Sequence, residues 1–267
     1  MSGPVLEAID VGKILGSGAG RVEALRGVSL ALAPGELALL MGPSGSGKTT
    51  LLSILGCMLS PSRGTVRLRG RAVGTAGPEA LAKLRRDHLG FVFQTYHLFP
   101  TLNAVDNIRL ALDVRGERGR KANARAKDAL AQVGLAHKQR SYPRDLSSGE
   151  QQRVAIARAV VANPSIILAD EPTAALDGDN GRGVMTILRT MARERGCAVL
   201  VVTHDPRLLP FSDRVIHIED GRITGEDRTD APSRHIAQIA QITGQLSAAA
   251  AARPPGEPRP QRAGGTS

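Results

Sequence analysis

Residues 42–49 carry the residue types that bind phosphate groups. Their sequence, GPSGSGKT, fits the pattern GxxxxGK[ST], in which glycines let successive backbone N–H groups point at one anion. Lys48 can reach the β- and γ-phosphates of a nucleotide, and the Thr49 hydroxyl can ligate a bridging Mg²⁺. We therefore predict a nucleotide-binding loop formed by Gly42, Pro43, Ser44, Gly45, Ser46, Gly47, Lys48, Thr49 and Thr50.

Two carboxylates and a histidine follow apolar runs farther along the chain. Asp170 and Glu171 come directly after the run at residues 166–169, and His204 comes after the run at 198–203. Ligands of open parallel sheets bind at the carboxyl ends of the strands, so we expect all three side chains to face the loop. Asp170 would hold Mg²⁺ directly or through water, and Glu171 would polarise the attacking water. His204 would bind the γ-phosphate or orient that water.

The spacing of apolar residues predicts strands that alternate with helices. Aliphatic runs predict buried strands at residues 36–41, 165–169, 198–203 and 215–218. Helical spacing predicts helices at residues 48–55, 151–161 and 181–195. The alternation indicates an α/β fold with a mostly parallel sheet covered on both faces. Residues 95–162 lack convincing strands and are rich in alanine and basic residues at 120–133, which predicts an inserted helical subdomain.

Length and composition set limits on the class of protein. A chain of 267 residues with 42% hydrophobic and 22% charged residues can bury a sizeable core. No apolar run approaches the roughly 18 residues of a membrane-spanning helix, and residues 1–10 show no secretory signal. We therefore expect a cytoplasmic chain that does not cross a bilayer. Cys57 and Cys197 lack the spacing of metal or disulfide pairs, which predicts free, buried thiols.

The chain carries a net charge of +10. That charge is compatible with a nucleic-acid partner, an anionic membrane surface or a solvated basic face. Aromatic residues, which could stack on bases, make up only 2% of the chain. Much of the basic excess lies in residues 115–127 and in the C-terminal tail rather than in a DNA-reading motif. We therefore expect no nucleic-acid partner.

Composition changes at the C-terminal end. An amphipathic stretch at residues 235–246 is followed by a segment at 248–267 that is dense in alanine, proline, glycine and arginine. Such a segment cannot bury enough apolar surface to fold, so we predict a largely disordered extension over residues 231–267. A solvated tail is favoured over a role in binding a membrane or a partner.

The sequence LSSGEQQR at residues 146–153, followed by VAIARA, resembles the signature sequence of ATP-binding cassette (ABC) proteins, usually LSGGQ. A serine hydroxyl and a small residue at a helix start form a second anion site. The resemblance covers about residues 5–223. It implies a P-loop NTPase (RecA-like) core, an N-terminal antiparallel β portion and the helical insert, all within a domain at 1–230. It also implies that another chain's ATP is bound by Ser147, Ser148, Gly149 and Glu150.

The resemblance assigns two further residues. Gln94, in the sequence FVFQ, looks like the family glutamine that contacts Mg²⁺, so the implied metal set is Thr49, Gln94 and Asp170. The alternative is an ordinary polar loop residue. Asp177, in AALD, takes the place of the aspartate in the family's D-loop, which supports contact between two ATPase units. Its alternative is a helix-capping aspartate.

Two residues depart from the family pattern. Leu15 stands where an aromatic residue usually stacks on adenine, so weaker base stacking and relaxed adenine selectivity are expected. Ser148 replaces a glycine of the signature, which could alter the anion contact, although we expect activity to survive because serine is small.

By this resemblance, the chain is an ATP-hydrolysing subunit that uses ATP and Mg²⁺. It would form a head-to-tail homodimer and drive an integral membrane permease from the cytoplasmic face of the inner membrane. Residues 96–101 are the expected permease-docking segment, with an ordinary hydrophobic turn as the alternative. The sequence looks most like that of the lipoprotein-releasing and macrolide-exporter group at residues 53–56, 93–100 and 213–218 and at Glu150.

Three other functions compete with the exporter hypothesis. The first is an importer ATPase subunit, because importers share much of the same sequence. A non-transport ABC ATPase acting on nucleic acid or ribosomes is disfavoured, because neither a long coiled-coil insert nor a second cassette is visible. A purely regulatory nucleotide-binding module is disfavoured by the presence of both Glu171 and His204.

Overall fold

The computed structural model describes residues 3–74 and 76–228. Within these residues the chain forms ten strands: β1 (Leu6–Leu15), β2 (Val22–Leu32), β3 (Leu37–Met41), β4 (Arg63–Leu68), β5 (Arg71–Ala72), β6 (Leu89–Val92), β7 (Ile166–Asp170), β8 (Ala198–Thr203), β9 (Arg214–Glu219) and β10 (Arg222–Arg228). It forms six α-helices: α1 (Lys48–Leu55), α2 (Pro78–His88), α3 (Ala104–Asp113), α4 (Gly119–Gln132), α5 (Ser148–Val160) and α6 (Gly178–Arg195). The predicted extension at 231–267, with its amphipathic stretch at 235–246, lies outside the described residues.

The main sheet has six strands in the order β10-β9-β3-β8-β7-β6. Every neighbouring pair from β9 to β6 is parallel, and β10 alone is antiparallel, to β9. All six residues of β8 are buried, as expected for a central strand covered on both faces. The predicted mostly parallel α/β sheet is therefore confirmed, and the four predicted strands correspond to β3, β7, β8 and β9.

A second, antiparallel sheet comes mainly from the N-terminal part of the chain. Its strand order is β2-β1-β4-β5, and β1 pairs with both β2 and β4. Buried residues of this sheet join one hydrophobic core with α1 and the main sheet, including Leu6, Val28, Leu51 and Leu200. The antiparallel β portion is thus packed beside the loop between β3 and α1.

Residues 95–162 contain helices α3, α4 and α5 and no strand. These helices have a hydrophobic core of their own, which includes Ile108, Leu112, Leu130 and Val154. The alanine-rich face of α4 allows close packing, because Ala122 and Ala126 are fully buried. The segment is helical as predicted, and its use as a separate subdomain stays a prediction.

Both cysteines are buried and free. Burial raises the pKa of Cys57, against the opposing charge of Arg85, and raises that of Cys197 to about 11. None of the helices in the described residues has the length and apolar character needed to span a bilayer.

Candidate functional site

The phosphate-binding loop lies between β3 and α1 and is held by close backbone contacts. Gly47 adopts a left-handed conformation, with φ of 98°, at the N-cap of α1. A Cβ atom at Gly47 would lie 2.6 Å from the carbonyl oxygen of Ala24, and one at Gly42 would lie 2.0 Å from that of Ile218. No other residue fits either position, because the loop is pressed against β2 and β9. The backbone is therefore preformed at the start of a helix, where N–H groups attract anions.

The side chain of Lys48 folds back over the start of the phosphate-binding loop. Its Nζ donates hydrogen bonds to the carbonyl oxygens of Gly42 and Pro43, both at 2.8 Å. An ammonium group has three donors, so one remains for a phosphate oxygen. The lysine can therefore stabilise the curled loop and bind the nucleotide at once.

One cavity of about 580 Å³ brings most of the predicted site together. Its walls include nine predicted residues: Ser44, Gly45, Gly47, Lys48, Thr49, Thr50, Gln94, Asp170 and Glu171. Gly42 and Pro43 support the loop from outside the cavity, and Ser46 is buried behind it. The carboxyl ends of β3 and β7 thus meet at one edge of the sheet, as the sequence predicts.

Glu171 is held in an unusual backbone conformation. Its φ is 46°, in the left-handed region that non-glycine residues rarely adopt. Its N–H donates to the carbonyl oxygen of Val202 at 2.9 Å, which ties the residue to β8. The backbone therefore aims the carboxylate into the cavity, and such strain is found most often at functional sites.

His204 does not line the cavity itself but contacts Glu171, which does. The distance between its Nδ1 and Oε1 of Glu171 is 2.7 Å. The histidine side chain is 72% exposed, whereas the glutamate side chain is 15% exposed. His204 can therefore orient the carboxylate by one hydrogen bond while its other ring nitrogen stays open to solvent.

The predicted metal ligands share one region of the cavity. The Thr49 hydroxyl donates to Oδ2 of Asp170 at 3.3 Å, and Gln94 lines the same cavity. The pKa of Asp170 is raised, mainly by burial and also by the nearby charge of Glu171. The hydrogen bond from Thr49 and the charge of Lys48 oppose this rise. A hydroxyl, a carboxylate and an amide oxygen form a set of hard donors that fits Mg²⁺ bound to phosphate and water.

The signature segment starts helix α5 with a capping box. The Ser147 hydroxyl accepts a hydrogen bond from the Glu150 N–H at 3.3 Å, and Oε2 of Glu150 accepts one from the Ser147 N–H at 2.8 Å. Lys138 lies 3.2 Å from the other carboxylate oxygen. Burial of Glu150 raises its pKa, but the Ser147 and Lys138 interactions together hold it below the ordinary value. Lys138 thus offsets the negative charge that a glutamate places at this helix end.

The two small signature residues have different surroundings. Ser148 is exposed and its φ is not left-handed, so a serine is accommodated there without strain. A Cβ atom at Gly149 would lie 2.8 Å from the side chain of Asn180. Asn180 also accepts a hydrogen bond from Arg153 at 3.1 Å and donates one to Asp177 at 2.9 Å. Asn180 therefore connects the start of α5 with the start of α6.

Asp177 is the N-cap of α6. Its Oδ1 accepts a hydrogen bond from the Asn180 N–H at 2.9 Å. The backbone hydrogen bond from Asn180, followed by that from the Asn180 side chain, lowers the pKa of the exposed Asp177 carboxyl. The capping alternative is thus present in the structure, and a contact with a second chain stays a prediction.

Two walls of the cavity were not predicted from the sequence. One comes from β2 and includes Ala24, and the other is the turn formed by Asp220 and Gly221. Both turn residues have positive φ, 46° and 74°, as expected of a two-residue hairpin between β9 and β10. The Asp-Gly pair that follows the apolar run of β9 is the signal that predicts this turn.

Comparison with known proteins gives a match that covers more than half of the chain. The model of the family described as ABC transporter matches residues 25–174. The chain belongs to the ABC transporter family. A Salmonella typhimurium macrolide export ATP-binding/permease protein is 46% identical over 219 residues, which are 82% of this chain and 34% of the relative. A Bordetella pertussis lipoprotein-releasing system ATP-binding protein is 44% identical over 222 residues, 83% of this chain and 96% of the relative.

Solved structures give the same family. A dimeric ATP-binding cassette in a post-hydrolysis state, bound to ADP and Pi, has a TM-score of 0.78 and 39% identity, and the match covers 84% of this chain and 98% of that chain. The cassette cbiO1 from Clostridium perfringens has a TM-score of 0.76 and 25% identity over 92% of this chain and 99% of its own. The predictions of a P-loop NTPase fold and of an ABC ATPase are confirmed.

The chain spans about a third of the length of the macrolide export relatives that it matches. It spans nearly all of the lipoprotein-releasing relative. Both relatives belong to the group that the sequence indicates for this ABC ATPase.

Proposed function

We propose that this ABC ATPase is the nucleotide-binding subunit of an exporter-type membrane transporter, with a permease carried by another chain. The observation that carries ATP hydrolysis in this proposal is the single cavity that joins Lys48 with Thr49, Asp170 and Glu171. A phosphate cradle, hard oxygen donors and a carboxylate base in one place are what ATP hydrolysis requires. The experiment is to measure phosphate release from ATP by the purified chain, which must depend on Mg²⁺.

The residues of the cavity have separable roles in this reaction. The loop N–H groups and Lys48 bind the phosphates, and Glu171 accepts a proton from the attacking water at its carboxylate. His204, 2.7 Å from Glu171, holds that carboxylate in place. Thr49, Asp170 and Gln94 would hold Mg²⁺, which neutralises charge developing on the phosphate oxygens.

A second copy of the chain completes the site in this proposal. None of the signature residues 147–150 is among those that line the nucleotide cavity. Ser147 and Ser148 are nevertheless exposed at the N-terminal end of α5, where an anion is attracted. The cassette that is similar in structure is described as dimeric. We therefore propose a homodimer in which Ser147, Ser148, Gly149 and Glu150 of one copy face the ATP of the other, with Asp177 at the contact.

An apolar groove offers the surface for the permease. It has a volume of about 310 Å³ and lies between β6 and α3. Its apolar walls include Phe91, Phe93, Phe99 and Val114, of which Phe99 and Val114 are 49% and 61% exposed. Arginines line the same groove: Arg85, Arg86, Arg115 and Arg158. This combination fits an amphipathic cytoplasmic helix of the permease that carries acidic residues.

The docking segment is held by one buried side chain. Asn107 is fully buried on α3, and its Nδ2 lies 2.8 to 3.1 Å from the carbonyl oxygens of Phe99, Leu102 and Asn103, which share its two N–H groups. Its own carbonyl accepts from the Phe99 N–H at 2.7 Å. The exposed Phe99 ring is therefore presented from a rigid backbone, which lowers the entropy lost on docking.

Phe99→Asp is expected to weaken permease binding by about tenfold or more. Burying a phenylalanine contributes roughly 1.5–3 kcal/mol, and the new carboxylate would repel an acidic partner. Nucleotide affinity should be unchanged, because Phe99 does not line the nucleotide cavity. The measurement is recovery of the chain with the detergent-solubilised permease of its transporter.

Tyr142→Asp is the matched control for this experiment. Tyr142 is also an exposed aromatic residue, at 40%, and it lines neither the groove nor the nucleotide cavity. Equal permease recovery with both variants would reject the groove as the docking surface.

The exporter assignment rests on the names of the relatives, and an importer subunit is the alternative. One relative is named for macrolide export and the other for lipoprotein release. The neighbouring reading frame provides the test. A four-helix permease with a large extracytoplasmic domain agrees with the proposal, and a six-helix permease beside a binding protein overturns it. Docking to either permease would place the chain at the cytoplasmic face of the inner membrane.

In this proposal, the adenine base packs against aliphatic side chains instead of an aromatic ring. Leu15, 39% exposed, pairs with Val22, 61% exposed, across the β1–β2 hairpin, and both line the nucleotide cavity. Leu15→Tyr should tighten ATP binding between about fivefold and about 150-fold, because stacking on a base contributes roughly 1–3 kcal/mol. Titration of the chain with ATP by calorimetry provides the measurement.

Leu15→Met, which changes the shape of the side chain without adding a ring, is the control. Comparable ATP affinity of the wild type and the Leu15→Tyr variant would contradict the packing of adenine against residue 15.

A further inference from the structure

The segment after Gln94 has a strained backbone. Tyr96 and His97 are consecutive non-glycine residues with positive φ, 58° and 46°. A tight turn forms there, because the His97 N–H donates to the carbonyl oxygen of Thr95 at 2.6 Å. Turns of this kind with a left-handed central residue are rare and strained, so other contacts must hold the segment.

Arg158 supplies those contacts. Its Nη1 donates to the carbonyl oxygen of His97 at 2.5 Å, and its Nη2 donates to that of Tyr96 at 2.7 Å. The planar guanidinium thus binds both carbonyls of the strained pair, which a lysine could not do in the same geometry. Within residues 3–74 and 76–228, no carboxylate forms an ion pair with Arg158. Burial is the cause that lowers its pKa.

The position of Arg158 connects three parts of the molecule. It lies in the last turn of α5, whose first turn carries the signature residues. It also lines the groove between β6 and α3. A ring contact also holds the segment, with 4.7 Å between the ring centroids of Phe93 and His97. One side chain therefore joins the signature helix to the segment that follows Gln94.

We propose that Arg158 is a positioning residue that ties helix α5 to the Gln94 segment and thereby holds Gln94 in its place at the nucleotide cavity. The two hydrogen bonds hold a backbone that would otherwise relax out of the left-handed region. Relaxation would displace Gln94, which lies two residues before Tyr96 and lines the nucleotide cavity. The proposal rests on the proposed function only in assigning Gln94 to the nucleotide site.

The chain is well suited to an optical test, because it contains no tryptophan and two tyrosines, Tyr96 and Tyr142. In a Tyr142→Phe background, tyrosine fluorescence reports on Tyr96 alone. Adding Arg158→Met should lower the anisotropy of Tyr96 and raise its quenching by acrylamide. An unchanged Tyr96 signal in this variant would overturn the proposal.

Two further variants separate positioning from general loss of packing. Arg125→Met is the matched control, because Arg125 also donates to a backbone carbonyl, that of Val161 at 2.6 Å, without contacting the Gln94 segment. It should leave the Tyr96 signal as in the background. His97→Gly should partly restore the signal of the Arg158→Met variant, since glycine adopts positive φ without strain. Failure of that rescue, or an equal effect of Arg125→Met, would also overturn the proposal.

Arg158→Lys keeps the experiment interpretable if the methionine variant does not fold. Lysine retains the charge and the apolar stem but can bind only one carbonyl well, so the Tyr96 signal should move part of the way. In steady-state assays of this variant, the Mg²⁺ concentration that gives half-maximal rate should rise more than kcat falls. Absence of ATP hydrolysis by the wild-type chain would reject the proposed function instead, and the Tyr96 measurements would still decide the role of Arg158.

Discussion

Glu171→Gln is expected to bind ATP normally and to lose about 10²- to 10⁴-fold in kcat, the usual contribution of a general base. Glutamine can adopt the same backbone and accept the same hydrogen bond from His204, which lies 2.7 Å from Oε1. It cannot take a proton from water. Because the cradle formed by the loop and Lys48 is unchanged, ATP stays bound and intact, and the proposed dimer should persist.

Phosphate release and size-exclusion chromatography with ATP provide the two measurements. Glu194→Gln is the control, since Glu194 is an exposed carboxylate on α6 that lies outside the nucleotide cavity. Turnover of the Glu171→Gln variant at the wild-type rate would contradict the assignment of Glu171. Loss of activity without an ATP-dependent dimer would keep that assignment and reject the composite site.

Lys48→Ala is expected to weaken ATP binding by roughly 10- to 100-fold. Loss of a hydrogen bond to a charged group costs about 1.5–3 kcal/mol, and this substitution also removes the two bonds that cross the loop. Those bonds join Nζ to the carbonyl oxygens of Gly42 and Pro43 at 2.8 Å. Equilibrium binding of a fluorescent ATP analogue, measured by anisotropy, gives the affinity directly.

Lys13→Ala provides a matched comparison. Lys13 also donates from Nζ to a backbone carbonyl, that of Ser60 at 2.7 Å, but it does not line the nucleotide cavity. Its replacement should leave nucleotide affinity as in the wild type. If both lysine variants bound ATP as tightly as the wild type, the role of Lys48 in holding phosphate would have to be abandoned.

The central strands could be predicted from the sequence because their patterns are local. Strand β8 is a run of six apolar or β-branched residues that are all buried, and helix α1 follows the glycine-rich loop at the predicted residue, Lys48. Strand β6 was missed, because its four residues LGFV are too short a pattern to identify alone. Its place in the sheet depends on pairing with β7, whose residues lie far away in the sequence.

The start of α5 is indicated by a capping signal and not by apolar spacing. Periodicity predicts a helix from residue 151, whereas the helix begins at Ser148. The serine and glutamate three residues apart, Ser147 and Glu150, form a capping box that indicates the earlier start. Helix boundaries follow such end contacts more closely than apolar spacing.

The site could be predicted in its chemistry but only partly in its geometry. The shared sheet edge brought Asp170 and Glu171 to the phosphate loop as expected. The left-handed backbone of Glu171 was not predictable, because residue type gives no reason to expect positive φ at a glutamate. Contacts such as that between Asn180 and Gly149 join segments distant in sequence, and no local pattern reports them.

The two buried thiols make this chain a convenient background for site-directed labelling. A thiol reacts as its thiolate, and the pKa of about 11 leaves Cys197 almost entirely protonated near neutral pH. Cys57 is buried as well, with its pKa also raised. A cysteine introduced at an exposed position would therefore be alkylated far faster than either native one. Spin labels or dyes could then follow the approach of two cassettes without first removing the natural cysteines from the core.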